Sequence, residues 1–480
     1  MIVRLLPLNN RAISFIKNFS YSFTTNMISM LISALVILII PKVIGVEEYG
    51  YWQLYLFYTS YVGFLHFGWN DGIYLRYGGK EYKELDKQLF FSQFNMLVSF
   101  QTILLVIIVS ASYFLIVDDN RAFIIEMTAI CMLITNSLYM LLYVLQATSR
   151  IKEYAQITML DRILYVCIIL LFLIFGVKNF KLLIIADLFG KFIALLYAMY
   201  CCKEIVFNKI STLHFSFREV KKNLSVGIKL LLANIASILI IGVARFGIER
   251  TWGVVVFGKV SLTLSISNFL MLFVNAIGLV MFPVLRRTDK EKLPSIYSVL
   301  RDSLMVIILG GMILYFPIKV ILTAWLPEYA DSQTYMAILF PMVIYEGKMS
   351  LLVNTYFKTL RREKLMLKVN IISLMLSLTL SLISTIWFKN LNLAILSIIF
   401  VLAFRSILGE ICLSNILGRR FYKDIILETI VVFAFLITGW YINLWISIGI
   451  YGIVYITYLL LKYKDIKRSI QSIKVILKAN

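Results

Sequence analysis

Residues 87–119 read KQLFFSQFNMLVSFQTILLVIIVSASYFLIVDD, and no charged side chain stands between Lys87 and Asp118. About 20 helical residues cross a bilayer, so residues 88–117 suffice for one span and are long enough to tilt or project. The same unit recurs along the chain, giving fourteen apolar stretches: 17–40, 48–69, 88–117, 122–147, 155–175, 181–202, 224–248, 253–282, 303–322, 334–356, 365–388, 391–413, 425–440 and 444–461. The composition agrees, with 61% hydrophobic and 15% charged residues. Soluble globular chains hold roughly 45–50% apolar and about 25% charged residues, and this one has too little polar surface to cover a core of its length. The expectation is an all-α polytopic membrane protein.

The 480 residues carry a formal charge of +21, from 47 basic and 26 acidic residues. A nucleic-acid binder would gather the cations in a patch on a soluble domain. Here they follow the loops instead. With the N-terminus inside, 33 of the 47 fall on inner segments, among them Arg76, Arg286, Arg287, Arg301, Arg361, Arg362, Arg419, Arg420, Lys423 and Lys462; six fall on outer turns and eight within spans. Short cytoplasmic loops collect Lys and Arg, so this bias orients the chain and excludes nucleic acid as a partner. Merging the last two spans would export the six-cation tail, which favours fourteen spans with both termini cytoplasmic. Pro7, Asn9 and Asn10 interrupt the N-terminus and no small-residue cleavage site follows, so the first span reads as an uncleaved start.

The longest outer connection, 323–333, leaves no room for an extracytoplasmic domain. Lys17-Asn18-Phe19-Ser20 is echoed by Lys222-Asn223-Leu224-Ser225, and Tyr49-Gly50 by Phe257-Gly258, at offsets of 205 and 208 residues. That spacing equals six spans. It suggests an N-terminal lobe over 1–202 (spans one to six), an amphipathic connector over 203–223, and a C-terminal lobe over 224–413 (spans seven to twelve). An extra helix pair over 414–461 and a basic amphipathic cytoplasmic tail over 462–480 complete the chain. In the tail, Ile466, Ile470, Ile473 and Leu477 share one helical face between lysines, as on an anionic inner membrane surface.

No catalytic constellation stands out, so the expectation is a transporter and not an enzyme. Cys131, Cys167, Cys201, Cys202 and Cys412 all lie in apolar segments without metal or disulfide spacing, and His66 and His214 lack partners for a metal or nucleophile site. Gly190-Lys191 lacks a phosphate-loop context, and Asp118-Asp119 reads as a solvated outer turn. No cofactor is expected beyond a coupling ion, proton or sodium.

Charges inside spans are costly and mark partners or wet cavities. Arg162, Lys229, Arg245, Lys259 and Lys319 lie near span ends and can snorkel; Lys191, Lys348 and Arg405 are deeper. Asp187 and Lys191, four apart on one face, either neutralise each other or line a cavity. Glu346 and Glu410 are candidates for ion coupling or for interhelical ion pairs with those cations. The cation surplus around spans seven and eight suits an anionic substrate, phosphate above all. In the aromatic second span, Tyr55, Tyr58 and Tyr61 offer either sugar-stacking faces or ordinary packing.

Three local patterns carry a family resemblance: Pro41-Lys42-Val43-Ile44-Gly45 through Glu48-Tyr49-Gly50; Gly68-Trp69-Asn70-Asp71-Gly72 with Arg76; and Leu145-Gln146 followed by Arg150 and Tyr154-Ala155. With the span count, they make the chain resemble the polysaccharide-exporter and O-antigen flippases of the multidrug/oligosaccharidyl-lipid/polysaccharide flippase superfamily. The resemblance implies two six-helix lobes around a cavity in the bacterial cytoplasmic (inner) membrane. It also implies transfer of an undecaprenyl-pyrophosphate-linked oligosaccharide to the outer leaflet by alternating access. Membrane lipids, a polysaccharide polymerase and chain-length machinery are the partners implied. Carried over, Arg76, Lys229, Arg245 and Lys259, with Lys17 behind them, are expected to hold the pyrophosphate. A cation-coupled drug or metabolite exporter of the same superfamily is the alternative, which an acidic cavity would favour. A membrane glycan polymerase or ligase is disfavoured by the short outer loops.

Overall fold

The computed structural model describes residue 32 and residues 36–287, 289–442 and 444–478, and every element among them is helical. The chain divides into two compact units, Met1–Ile235 and Ala236–Asn480.

The first unit holds α1 (36–44), α2 (Val46–Val62), α3 (Trp69–Tyr77), α4 (Lys87–Leu115), α5 (Asp119–Ala147), α6 (Ile151–Ile174) and α7 (Phe180–Cys201). Short polar side chains start three of them by accepting the otherwise unpaired N–H groups of a first turn. Asp86 accepts from Gln88 and Leu89, Asp118 from Arg121, and Asn179 from Lys181. Half of the outer acidic doublet is thus a helix cap. Helix α5 is the centre of the unit, packed by α2, α3, α4, α6 and α7. In its most apolar window 72% of residues are buried, against 22% in α4 and 17% in α6. The two outer helices turn long apolar faces outward, as a bilayer requires.

The helical stretch Phe217–Arg287 is a hairpin, reversing at Gly253, whose φ of 78° and ψ of −179° only glycine adopts readily. Arg245 and Ser261, equally far on either side of it, are 2.9 Å apart through Nη2 and Oγ. Sixteen residues of straight helix would separate them by about 24 Å. The limbs are α8 (217–252) and α9 (254–287), and the reversal falls between the seventh and eighth expected spans.

The second unit continues with α10 (Leu293–Trp325), α11 (Thr334–Thr359), α12 (Glu363–Trp387), α13 (Leu391–Leu417), α14 (Tyr422–Tyr441), α15 (Leu444–Leu461) and α16 (Tyr463–Lys478). Helix α11 is its centre, with 89% of its apolar window buried. Its ladder is interrupted at Pro341, which has no N–H to donate, and it widens to a π-helical stretch over Lys348–Asn354.

Among the described residues, ten helices are long and apolar enough to cross a membrane, or eleven if α15 and the start of α16, bent by 67°, form one span. The chain is a multi-pass membrane protein. Most of the first expected span, 17–40, lies outside the described residues. The second, 48–69, is not one regular helix: α2 has 17 residues and passes through a 3-10 turn to left-handed Phe67 and Gly68 before α3 begins. The tail forms a helix over Tyr463–Lys478, and the side chains of Ile470, Ile473 and Leu477 lie outside the described residues.

Candidate functional site

In the first unit, the Gly68-Trp69-Asn70-Asp71-Gly72 motif makes a backbone-to-backbone crossing of α3 over α8. A Cβ on Gly72 would lie 2.0 Å from the Asn223 carbonyl oxygen, and one on Gly227 would lie 1.9 Å from that of Gly68. Trp69 Nε1 donates to Gln93 Oε1 at 2.9 Å, and Asn70 Nδ2 to the Asn136 carbonyl at 3.0 Å, tying the motif to α4 and α5. One turn further, Arg76 Nη1 donates to Asn223 Oδ1 at 2.5 Å and Nη2 to Glu219 Oε2 at 2.7 Å. The guanidinium expected to hold phosphate is therefore already engaged by a carboxylate and an amide. Asn223 belongs to the second copy of the sequence echo; the first copy, with Lys17, lies outside the described residues.

Tyr55 is fully buried and donates to Asp187 Oδ2 at 2.7 Å, while Lys191 pairs with the other oxygen of the same carboxylate. Of the two readings for Asp187 and Lys191, mutual neutralisation is what the geometry shows, with Tyr55 as a third member. The Tyr55 ring packs 5.6 Å from Trp52, which leaves no open face for a sugar on that side. Tyr58 is half-buried, 5.6 Å from the Phe57 ring, and Tyr61 lies edge-on to Phe57. Lys229 is exposed and has no ion-pair partner among the described residues.

In the second unit, Arg245 bonds Ser261 and lies 5.1 Å from the Phe257 ring centroid, and Lys259 Nζ is 3.3 Å from Asp331 Oδ2. The deeper charges form two separate groups. Arg405 donates to Glu346 Oε1 at 2.9 Å, Asn370 Oδ1 at 3.0 Å and Ser237 Oγ at 2.6 Å, joining α8, α11, α12 and α13. Lys348, only two residues from Glu346, is directed elsewhere because side chains two apart on a helix point to different sides. Its Nζ donates to Glu410 Oε2 at 2.8 Å and Glu428 Oε2 at 2.6 Å.

The same two carboxylates meet Arg301, which is wholly buried: Nε lies 2.5 Å from Glu410 Oε1 and Nη2 lies 2.8 Å from Glu428 Oε1. The inner quartet is balanced, two cations against two carboxylates. It continues outward to Asp302, Asp424 and Asp465, which surround Lys462 Nζ at 3.0, 2.9 and 3.0 Å. Burial alone would lower the Lys462 ammonium, but hydrogen bonding to Asp424 and the neighbouring carboxylates hold it above its ordinary value. Contact between Asp302 and Lys462 brings the first turns of α10 and the end of α15 together at one end of the unit.

By sequence, Arg301 and Lys462 count among the orienting cations and carry no further role. One signal for Arg301 was present: Tyr297, Leu304, Met305 and Ile308 recur at helical spacing around it, and all are buried. The geometry brings together Glu346 with Arg405, Lys348 with Glu410, and Asp187 with Lys191 and Tyr55. It does not group Arg245 with Lys259, since each has its own partner.

The family model described as "Polysaccharide biosynthesis protein" matches residues 15–289. No curated protein sequence matches the chain significantly. Among solved structures, an inward-facing multidrug resistance MATE family transporter of the MOP superfamily has a TM-score of 0.59 at 12% identity, covering 85% of this chain and 98% of its own. The lipid II flippase MurJ in an inward closed conformation has a TM-score of 0.56 at 14% identity, covering 93% and 99%. A MOP superfamily transporter from Pyrococcus furiosus, described as having a binding pocket of reversed polarity, has a TM-score of 0.54 at 13% identity, covering 84% and 96%. At these identities the likeness concerns the fold.

Proposed function

Because the chain belongs to the polysaccharide biosynthesis protein family, whose model spans more than half of it, we propose that it is a flippase for an undecaprenyl-pyrophosphate-linked oligosaccharide. The substrate is a repeat unit of O-antigen, capsule or exopolysaccharide, moved from the inner to the outer leaflet of a bacterial cytoplasmic membrane by alternating access. The family match carries this reading, and it covers Arg76, Lys229, Arg245 and Lys259. The fold shared with a lipid II flippase supports it. The proposal includes fourteen spans with cytoplasmic termini, lobes over 1–202 and 224–413, and delivery of the glycan to a polymerase with its chain-length machinery.

Within that proposal Lys229 is the first phosphate ligand, exposed and without an ion-pair partner among the described residues. Arg245, bonded to Ser261, and Lys259, beside Asp331, are further ligands that act separately. Arg76 positions α3 against α8 through Glu219 and Asn223 and contributes through that contact. Coupling to a proton or sodium is assigned to Asp187, Glu346 and Glu410, each bonded to a cation that neutralising the carboxylate would release.

The test is a leaflet-resolved assay in vesicles with a defined lipid-linked glycan, beside surface-glycan assembly in cells. K229A/R245A should abolish both while the protein still accumulates in the membrane. Unchanged translocation by that variant would remove the phosphate role from these residues. Failure of the parent protein to move any such lipid would remove the substrate assignment itself.

A further inference from the structure

A cavity of about 640 Å³ opens beside the ion network of the second unit, among the start of α10, the turn before α14, and the junction of α15 with α16. Its volume is within the usual range for small-ligand sites, about 300–1,000 Å³. Its lining carries charge of both signs. The three carboxylates on it, Asp302, Asp424 and Asp465, are all committed to Lys462, and the first two also face Arg301 at 3.9 and 3.6 Å. The same lining presents Arg419, Arg420 and Lys423, all exposed, with no ion-pair partner among the described residues. With Lys462 and Arg468 included, the lining carries five basic residues against three carboxylates, so the open volume faces a surplus of positive charge.

The rim continues into apolar surface. Tyr422 lines the cavity and begins an exposed stripe on α14 made by Tyr422, Ile426, Ile430, Phe433 and Ile437. Their spacing of three and four residues puts them on one face of the helix, running away from the cavity along the membrane-spanning direction. A basic pocket at the foot of an apolar stripe matches a molecule with an anionic head and hydrocarbon tails. Basic pockets of this kind at membrane helices bind phosphate-bearing lipid head groups.

We propose that this cavity binds the headgroup of an anionic phospholipid, its phosphate held by Arg419, Arg420 and Lys423 and its acyl chains lying along the α14 stripe. The site is independent of the translocated substrate. Lys462 serves it indirectly, by occupying the carboxylates that would otherwise repel the phosphate. The lipid thereby fastens α10, α14 and α16 at one end of the unit.

Binding is measured on the full-length detergent-purified protein by native mass spectrometry and thermal melting, with phosphatidylglycerol, phosphatidylcholine or inorganic pyrophosphate added. Phosphatidylglycerol should bind and raise the melting temperature more than phosphatidylcholine does, and pyrophosphate should do neither. R419Q/R420Q/K423Q should weaken phosphatidylglycerol binding by about fivefold per cation removed, the equivalent of about 1 kcal/mol for each basic residue near an anionic surface. R361Q/R362Q/K364Q, in a basic turn outside the cavity, should leave it unchanged. Equal response to the two lipids, or equal loss in both triple variants, overturns the proposal in favour of diffuse attraction. Pyrophosphate acting as strongly as the lipid overturns it in favour of a soluble phosphate ligand.

Discussion

Arg301 and Glu410 are 109 residues apart in sequence and are joined by a 2.5 Å contact between Nε and Oε1, with both side chains fully buried. Glu410 also receives Lys348, so one carboxylate accepts from two cations on two other helices. Removing one partner of a buried ion group leaves the others unsatisfied, at a cost of about 3–5 kcal/mol. Glu410→Gln should therefore lower the melting temperature sharply and reduce accumulation in the membrane. Adding Lys348→Met should return part of the loss, because the remaining cation then matches the remaining carboxylate. Strictly additive effects in that double-mutant cycle would mean that Lys348 and Glu410 do not interact.

The crossing of α3 and α8 yields a prediction of the opposite kind, resting on volume. Gly72→Ala and Gly227→Ala each place a methyl about 2 Å from a backbone carbonyl oxygen, and neither neighbour is a flexible side-chain tip. Overpacking of a core costs about 1–3 kcal/mol, and a backbone neighbour that cannot rotate away puts these at or above the upper end. Gly449→Ala, where nothing stands within 4 Å, is the control. Membrane yield and thermal melts should rank the two crossing variants well below the control; equal stability would mean that the helices have room to separate.

How much of this was legible in the sequence depends on whether a property is local. Apolar length and charged loops mark helices directly, so α4 to α7 and α10 to α15 lie where the pattern puts them. The reversal at Gly253 was legible too, because the break between the apolar runs 224–248 and 253–282 marks it. Partnerships were not. Glu346 and Lys348 stand two apart and Arg405 and Glu410 five apart, and the sequence supplies no reason why the first bonds the third and the second the fourth. That follows from which faces α11 and α13 turn toward each other. Depth in a span was a sound guide to burial for Lys348 and Arg405, but it missed Arg301, which lies outside the apolar window and is buried because α10 begins ten residues before that window. Tyr55 shows the converse: aromatic spacing marks it as mid-span, yet only the fold reveals Asp187 opposite its hydroxyl.

Asp71 sets a pH dependence. It follows the second expected span, where burial pushes its carboxyl up to about 6 from the ordinary 3.8, with His66 Nε2 3.8 Å from Oδ2. A raised value means that the folded protein binds this proton more tightly than the unfolded chain does. Its contribution is fully present below about 4 and is lost as pH rises towards 6. Asp71→Asn keeps the shape without the charge. It should raise the melting temperature at pH 7.5 and confer no gain near pH 4, a crossover readable from melts across that range. A gain of the same size at both pH values would assign the effect to something other than ionisation.

Arg301 offers the most discriminating substitution because its three nitrogens have different duties. Nε serves Glu410, Nη2 serves Glu428, and Nη1 faces Asp302 and Asp424. A planar guanidinium spans such a set with one rigid group, whereas an ammonium is a point charge on a shorter reach. Arg301→Lys preserves the charge and so separates geometry from electrostatics. It should still destabilise the protein by about 2 kcal/mol or more, since at least one buried carboxylate loses a charged hydrogen bond worth roughly 1.5–3 kcal/mol. Lys348→Arg tests the same distinction in reverse: its ammonium already sits 2.8 and 2.6 Å from two oxygens, and a bulkier fork must displace them. Both variants should melt well below the parent protein, while Lys364→Arg in the basic turn should not. If Arg301→Lys melts like the parent, charge alone holds the quartet together and the three-way geometry of the guanidinium is dispensable.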